Sequence, residues 1–240
     1  MENESIARQT VVITGASKGI GFAIARLFAA EGHRLLLCAR NGETLQKSIE
    51  DLQLQYPAAA ISGTVADLSV KEAVTQFADW CLQQGKPSIL VNNAGTYLPG
   101  NIIDEPEGNL ELMMNTNFYS AYYLTRQLLP TMVQQGKGHI FNICSIAALH
   151  AYDGGGSYSI SKFAMDGFNK NLRHELKNSG IKVTAVFPGA VLTHSWAGFD
   201  NSSNRIMEAS DVAAMIVAAT KLSAQAVVED IVLRPQLGDL

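Results

Sequence analysis

Short runs of apolar residues, rich in Val, Ile and Leu, alternate along the chain with longer stretches in which apolar and polar positions are mixed. The short runs are continuous rather than alternating, which is typical of strands in a parallel sheet that is covered on both faces. This pattern predicts seven strands, at residues 10–14, 34–38, 60–65, 88–92, 139–143, 182–187 and 227–233.

The longer stretches have the length and periodicity of amphipathic helices. They predict helices at 19–31, 43–54, 71–83, 108–134, 157–178 and 211–221. Because Pro130 lies within the fourth stretch, we expect that helix to bend or end there. The glycine-rich run 153–157 lies between a strand and a helix of the same pattern, so we do not interpret it as a linker.

Helices between successive strands imply right-handed parallel crossovers. The sequence therefore predicts an α/β fold, a doubly wound parallel seven-stranded sheet with helices on both faces. We see no internal repeat and no linker, so a single domain is predicted for the whole chain, 1–240.

Composition narrows the function classes. The 240 residues, 47% of them hydrophobic, can bury one large core, and the net charge of -4 without basic clusters argues against a nucleic-acid partner. Residues 1–9 lack the pattern of a secretion signal and no apolar run reaches membrane-spanning length, so a cytoplasmic protein is expected. Cys38, Cys81 and Cys144 have no metal-ligand or paired spacing, which predicts reduced thiols and no metal site.

A glycine-rich segment, Thr14–Gly21, follows the first predicted strand and opens the first predicted helix. Backbone N–H groups at a helix N-terminus favour an anion such as a pyrophosphate, and glycines let the chain approach it closely. Three glycines near a turn are weak evidence alone, because a tight strand-to-helix turn has the same pattern.

The segment resembles the cofactor loop, T-G-x-x-x-G-x-G, of the short-chain dehydrogenase/reductase family. Four further motifs follow in the family's order and span almost the whole chain: Asn92-Asn93-Ala94-Gly95, Ser145, Tyr158-x-x-x-Lys162 and Pro188-Gly189. The resemblance implies a Rossmann-like fold and hydride transfer between nicotinamide and a carbonyl or alcohol carbon. It also implies a cofactor half at about 1–137 and a catalytic and substrate half at about 138–240.

The resemblance implies a set of cofactor contacts along the chain. Asp67 would meet the adenine, although a helix cap is the alternative for it. The Ile20 N–H would meet the pyrophosphate, and Thr193 the nicotinamide carboxamide. The complete implied set is Gly15, Ser17, Lys18, Gly19, Ile20, Gly21, Arg40, Asp67, Leu68, Asn93, Ala94, Gly95, Tyr158, Lys162, Pro188, Gly189 and Thr193.

The charge at the end of the second strand bears on the choice of cofactor. An NAD enzyme of this fold has a carboxylate there for the ribose hydroxyls, and Ala39 occupies the matching position. Arg40 follows it and Lys18 lies in the glycine loop, so two cations could bind the 2'-phosphate of NADP. The sequence predicts NADP(H); solvated surface charges are the alternative.

Tyr158 and Lys162 are four residues apart on a predicted helix and project from one face. An ammonium close to a phenol favours the ionised form, so the pair could donate and accept a proton. The resemblance implies that Ser145 hydrogen-bonds the substrate oxygen and that Asn117 holds a water near the lysine. The alternative for Asn117 is an amide that satisfies helix backbone.

The sequence departs from the family pattern at Cys144 and Ala148, where serine and glycine are usual. Neither position carries an assigned catalytic group. No histidine is placed beside Cys144 by spacing, so we do not expect it to be a nucleophile. We expect His150 to line the pocket or a loop rather than to act as a base.

The segment after Pro188-Gly189 is short, which predicts a small lid and an open pocket. Candidate walls are Tyr97, Ile146, Tyr152, Val191 and Trp196. The leading prediction is a ketone or 3-oxoacyl reductase. Similarity of the run 35–41 to sepiapterin reductases, with Asp239 available for a pterin amine, makes a pteridine reductase the alternative.

A non-catalytic dinucleotide-binding sensor or scaffold is the alternative from another class. The two long helices, 108–134 and 157–178, resemble those through which members of the family pair. The resemblance therefore implies a homodimer or homotetramer that acts on a small-molecule substrate.

Overall fold

The strands form one parallel sheet in a computed structural model that describes residues 8–193, 196 and 198–239. The predicted polar start therefore lies largely outside the described residues. Spatial order in the sheet is β3-β2-β1-β4-β5-β6-β7. The strands are β1 (Thr10–Thr14), β2 (Arg34–Ala39), β3 (Ala60–Val65), β4 (Ile89–Asn92), β5 (Gly138–Ile143), β6 (Ile181–Pro188) and β7 (Asp230–Leu233). The predicted doubly wound, seven-stranded parallel sheet is confirmed.

The continuous apolar runs are explained by the two faces of the sheet. In β1, Val11 and Ile13 pack into the same cluster as Phe28 and Ile216, whereas Val12 packs into a cluster with Phe77. Successive strand residues point to opposite faces, so a sheet covered on both sides needs an apolar residue at every position. The helices are α1 (Gly19–Ala30), α2 (Gly42–Gln55), α3 (Lys71–Gln84), α4 (Asn109–Met114), α5 (Ser120–Gln135), α6 (Gly156–Leu176) and α7 (Ala209–Thr220).

The fourth predicted helix is not one continuous α-helix in the structure. It does not end near Pro130, which lies inside α5 between the fully buried Leu128 and Met132, and a bend at Pro130 stays a prediction. The interruption is instead a π-helical turn at Asn115–Tyr119, which separates α4 from α5. A π-turn inserts one residue without changing the apolar pattern clearly, so the sequence carries no sign of it.

A chain of buried amides connects the centre of the sheet to α6. The Asn92 side-chain N–H₂ donates to Asn142 Oδ1 at 2.9 Å and to Thr125 Oγ1 at 3.0 Å. Asn142 in turn donates to Asn169 Oδ1 on α6 at 2.9 Å. Buried amides are costly unless they are hydrogen-bonded, so these contacts fix α6 against β4 and β5.

The order of the strands indicates where a ligand would bind. It reverses between β1 and β4, whose neighbours lead to opposite edges of the sheet. In such sheets, ligands bind in the crevice outside the carboxyl ends of the strands at this point. Predicted site residues that follow strand ends, such as Gly15, Arg40 and Ser145, therefore share this edge.

None of the helices within the described ranges has the length and hydropathy needed to cross a membrane. The cytoplasmic location stays a prediction from the sequence.

Candidate active site

The turn from β1 into α1 has the backbone conformation that its glycines predict. Gly15 and Gly19 have φ angles of 63° and 58°, in the left-handed region that favours glycine. At Gly21, a Cβ would lie 2.4 Å from the Gly15 oxygen and 2.5 Å from Asn93 Nδ2. Gly21 therefore allows α1 to pack closely behind the turn and does not itself line a cavity.

A cleft of about 400 Å³ lies over the ends of β1, β2, β3 and β4. We name it the cofactor cleft. Twelve of the predicted cofactor residues line it: Gly15, Ser17, Lys18, Gly19, Ile20, Arg40, Asp67, Leu68, Asn93, Ala94, Gly95 and Thr193. Sequence reasoning missed four polar residues that also line it, Asn41, Thr44, Thr96 and Thr116. Asn41 and Thr96 directly follow motif residues, which is the signal that could have found them.

Thr14 and Asn93 hold the floor of the cofactor cleft. The Thr14 hydroxyl oxygen accepts from the N–H groups of Asn93 and Ala94 at 2.9 and 2.8 Å. The Asn93 side chain donates to the carbonyls of Thr14 and Gly15 at 2.8 and 3.1 Å. These bonds join the ends of β1 and β4.

The charged residues of the cleft suit a phosphate. Lys18 and Arg40 are exposed, both line the cleft, and neither forms an ion pair with any residue the structure describes. Ala39, at the end of β2, places no carboxylate beside them. The hydroxyl of Thr116 is buried without a hydrogen-bond partner in the described part of the chain, so the cleft also offers an unused polar group. The residues present fit NADP.

Asp67 has a local role as well as a place in the cleft. Its Oδ1 accepts from the N–H of Ser69 at 3.1 Å and from the Ser69 hydroxyl at 2.7 Å. These bonds shape the turn before α3, whose own N-cap Val70 makes no side-chain cap. The two interpretations of Asp67 are therefore compatible.

A second cavity of about 750 Å³ contains the predicted catalytic residues Ser145, Tyr158 and Lys162, together with Pro188 and Gly189. We name it the substrate cavity. It shares part of its wall with the cofactor cleft, so the two form one groove: the shared residues are Ile20, Asn93, Gly95, Thr96 and Thr193.

The substrate cavity brings Tyr158 and Lys162 close to each other, and Ser145 lines the same cavity. Lys162 is 5% exposed, and its Nζ donates to the Ile143 carbonyl at 2.9 Å and lies 5.7 Å from the centroid of the Tyr158 ring. Ser145 Oγ accepts from the Ala147 N–H at 3.1 Å. That bond uses a lone pair of the serine oxygen and leaves its O–H available for a substrate oxygen.

Asn117 lies in the π-turn and is fully buried. Its Oδ1 accepts from the Thr96 N–H at 2.7 Å, and its Nδ2 donates to the Thr96 carbonyl at 3.0 Å and to Ser161 Oγ at 2.9 Å. A Cβ on Gly95 would lie 3.3 Å from Asn117 Oδ1 and 3.7 Å from Lys162 Nζ, so both side chains reach the same glycine. Asn117 lines neither cavity, and its predicted link to a water stays a prediction.

The predicted wall residues Tyr97, Ile146, Tyr152, Val191 and Trp196 all line the substrate cavity. The rings of Tyr97 and Tyr158 meet edge to face, 4.9 Å between centroids. Burial, then a hydrogen bond with Tyr97, raise the pKa of the Tyr152 phenol above its ordinary value. The wall beside Tyr158 is therefore aromatic, and the raised pKa keeps the Tyr152 hydroxyl neutral.

Two residues near this wall are inert or peripheral. Burial raises the pKa of the Cys144 thiol to about 12, so it is not a thiolate nucleophile at neutral pH. His150 lines the cavity from an exposed position.

The end of the chain contributes an ion pair to the substrate cavity. Arg234, directly after β7, pairs with Asp239, and both line the cavity. Arg205 donates to the carbonyls of Gly238 and Asp239, each at 3.0 Å, and holds the tail in place. Asp239 was predicted as a pocket residue and Arg234 was not, although its position after the last strand is a usable signal.

In the described ranges, no three His, Cys, Asp or Glu residues are grouped closely enough to hold a metal ion.

Comparison with known proteins agrees with this geometry. The family model described as short chain dehydrogenase matches residues 9–203. A sepiapterin reductase of Chlorobaculum tepidum is 35% identical over 242 residues, 97% of this chain and 98% of the relative.

Solved structures are similar over almost the whole chain. A metagenomic short-chain oxidoreductase in complex with NADP has a TM-score of 0.84 and 28% identity, covering 97% of this chain and 99% of that one. L-sorbose reductase from Gluconobacter frateurii, complexed with NADPH and L-sorbose, has a TM-score of 0.85 and 26% identity, covering 95% of each chain. The match of family model, relatives and fold shows that the chain belongs to the short-chain dehydrogenase/reductase family of oxidoreductases.

Proposed function

We propose that this protein is an NADPH-dependent reductase of a ketone or 3-oxoacyl substrate. The proposal is carried by the single groove that the two cavities form. Its substrate cavity is lined by Ser145, Tyr158 and Lys162, and its cofactor cleft is lined by Lys18 and Arg40. A reacting carbonyl in the substrate cavity would lie beside a hydroxyl donor and a phenol. A dinucleotide in the cofactor cleft would lie against the glycine turn.

The cofactor is NADP(H). Lys18 and Arg40 supply two cations for the 2'-phosphate, and Ala39 leaves out the carboxylate that would repel it. Solved relatives are complexed with NADP or NADPH. The reduced cofactor supplies the hydride equivalent when it is bound.

The protein's own residues bind and protonate the substrate oxygen. Ser145 donates a hydrogen bond to the carbonyl oxygen and stabilises the negative charge that develops there. Tyr158 donates its hydroxyl proton to the same oxygen, so the carbonyl gains one hydride and one proton and becomes an alcohol. Lys162, held by the Ile143 carbonyl, keeps a positive charge near the phenolate that remains. In the reverse direction the phenolate accepts the proton.

A pteridine substrate is the second candidate. It is favoured by the 35% identical sepiapterin reductase and by the presence of Asp239 in the substrate cavity. A carboxylate there could accept two hydrogen bonds from an amino-substituted ring. For this contact, the ion pair between Asp239 and Arg234 would have to break, or Asp239 would have to bind the ring and Arg234 at the same time.

The proposal is tested by following the absorbance of NADPH with purified protein and a panel of ketones, 3-oxoacyl thioesters, pteridines and sugars. We expect NADPH to be consumed with a ketone or a 3-oxoacyl thioester. Turnover of pteridines alone would establish the second candidate. Tight NADPH binding with no turnover across the panel would instead favour a non-catalytic sensor or scaffold and contradict the proposal.

We also propose that the protein forms a homodimer or homotetramer through α5 and α6. These helices expose apolar side chains that include Val133 at 41%, Ile160 at 43% and Phe163 at 47% of their area. Exposed apolar groups of this kind mark association surfaces when they are contiguous. Light scattering should give a mass at least twice the 25.8 kDa of one chain, and a monomer at working concentration would contradict it.

A further inference from the structure

The connection between β4 and α4 lies against the start of the helix that carries Tyr158. We name residues 97–105 of this connection the latch segment. The N–H of Gly100 donates to the Gly154 carbonyl at 3.1 Å, and the Gly154 N–H donates to Asn101 Oδ1 at 2.9 Å. The latch segment is therefore hydrogen-bonded in both directions to the turn that precedes α6.

The start of α6 has no cap of its own. Its N-cap residue, Gly155, has no side chain, and no acidic residue stands in the first turn. The first N–H groups of a helix lack partners within the helix and need acceptors from elsewhere. Glu105 of the latch segment supplies one of them: its Oε2 accepts from the Ser157 N–H at 3.3 Å, and its Oε1 accepts from the Ser157 hydroxyl. A carboxylate at this end also interacts favourably with the helix dipole.

This contact depends on a glycine at the start of the helix. A Cβ on Gly156 would lie 2.4 Å from the Gly100 oxygen and 3.1 Å from Glu105 Oε2. Any larger residue would push the latch segment away from α6. The glycine-rich run 153–157 therefore permits a close approach that brings a carboxylate to the helix.

The other end of the latch segment touches Tyr158 directly. Tyr97 packs edge to face on the Tyr158 ring, 4.9 Å between centroids. Ser157, which Glu105 holds, precedes Tyr158 in the chain and is 1% exposed. The same segment thus contacts the phenol ring and fixes the backbone immediately before it.

From these contacts we infer that Glu105 is a positioning residue for the reaction: by capping α6 through Ser157, it holds Tyr158 in the orientation from which its hydroxyl reaches the substrate oxygen. The inference rests on the proposed role of Tyr158 as proton donor. Glu105 itself does not touch the reacting atoms.

The first test compares Glu105→Ala with Glu105→Gln. We expect Glu105→Ala to lower kcat about tenfold or more, because a small displacement of a reacting group lowers the rate of the chemical step. KM and the affinity for NADPH should remain close to those of the parent. Glu105→Gln should restore most of the lost kcat, since an amide oxygen can still accept from the Ser157 N–H. Glu107→Ala is the matched control, because Glu107 is exposed on the same connection. It should leave kcat unchanged.

A double-mutant cycle with Ser157→Ala tests the contact itself. We expect the Glu105→Ala/Ser157→Ala enzyme to turn over as fast as Glu105→Ala alone, because both changes remove one shared contact. Turnover is counted per NADPH-binding site, so unfolded protein does not affect the result. Three results would each overturn the inference. They are a double variant whose loss of kcat is the product of the two single losses, a Glu105→Ala effect confined to KM, and an unchanged kcat in Glu105→Ala.

Tyr158→Phe, measured in parallel, distinguishes a failure of the positioning role of Glu105 from a failure of the proposed function. If Tyr158→Phe is inactive and Glu105→Ala is fully active, the positioning role is wrong and the proposed function stands. If Tyr158→Phe retains full turnover, the proton-donor role and the inference that rests on it are both wrong.

Discussion

Replacing Tyr158 by phenylalanine is expected to lower kcat by about 10²–10⁴-fold, the contribution of a well-placed general acid. The variant keeps the ring that packs on Tyr97 and loses only the hydroxyl that donates the proton. NADPH affinity should change little, because the variant keeps Lys18 and Arg40 of the cofactor cleft, which Tyr158 does not line. Steady-state NADPH oxidation measures the first quantity, and fluorescence titration with NADPH measures the second.

Tyr56→Phe is the matched control for this variant. Tyr56 follows α2 and lines neither cavity, so loss of its hydroxyl should leave kcat at the parent value. A Tyr158→Phe enzyme that turns over as fast as the parent would remove this phenol from the mechanism.

The second large effect concerns the cofactor. The double variant Lys18→Ala/Arg40→Ala is expected to bind NADPH about 100-fold or more weakly, because each charge-assisted hydrogen bond contributes about 1.5–3 kcal/mol. NADH has no 2'-phosphate, so its affinity should change little. Titration of both cofactors by fluorescence gives the ratio directly.

Lys47→Ala provides the control for the loss of a surface cation. Lys47 is exposed on α2, pairs with Glu43 at 2.7 Å and lies outside the cofactor cleft. It should leave both affinities as they are. Equal losses of NADPH and NADH affinity in the double variant would show that the two cations act on a part common to both cofactors.

The strands were predictable because each apolar run has to fill two faces of a covered sheet. The run 10–14 and the run 60–65 match β1 and β3 at both ends. The last strand begins at Asp230 rather than at residue 227, because the apolar residues before it approach the sheet without pairing in it. The π-turn at Asn115–Tyr119 was not predictable, since one inserted residue leaves little trace in a helical pattern.

The candidate site divides in the same way. Residues that follow strands, such as Ser145 and Arg40, were predictable from the resemblance to the family, and their shared place at one edge follows because parallel strands end there. Arg234 and Glu105 depend on where a tail and a long connection fold in space. No local pattern in the sequence predicts that placement, so the contacts of both residues with the site could be identified only from the structure.

The buried amides of Asn92, Asn142 and Asn169 constrain how this sequence can change over time. Each accepts from or donates to its neighbour, so exchanging one of them for an apolar residue leaves a polar atom of another without a partner, at about 1–3 kcal/mol. Single exchanges would therefore be eliminated, whereas a joint replacement by hydrocarbon side chains of similar shape could be tolerated. These three positions are expected to vary together among descendants or to remain as they are.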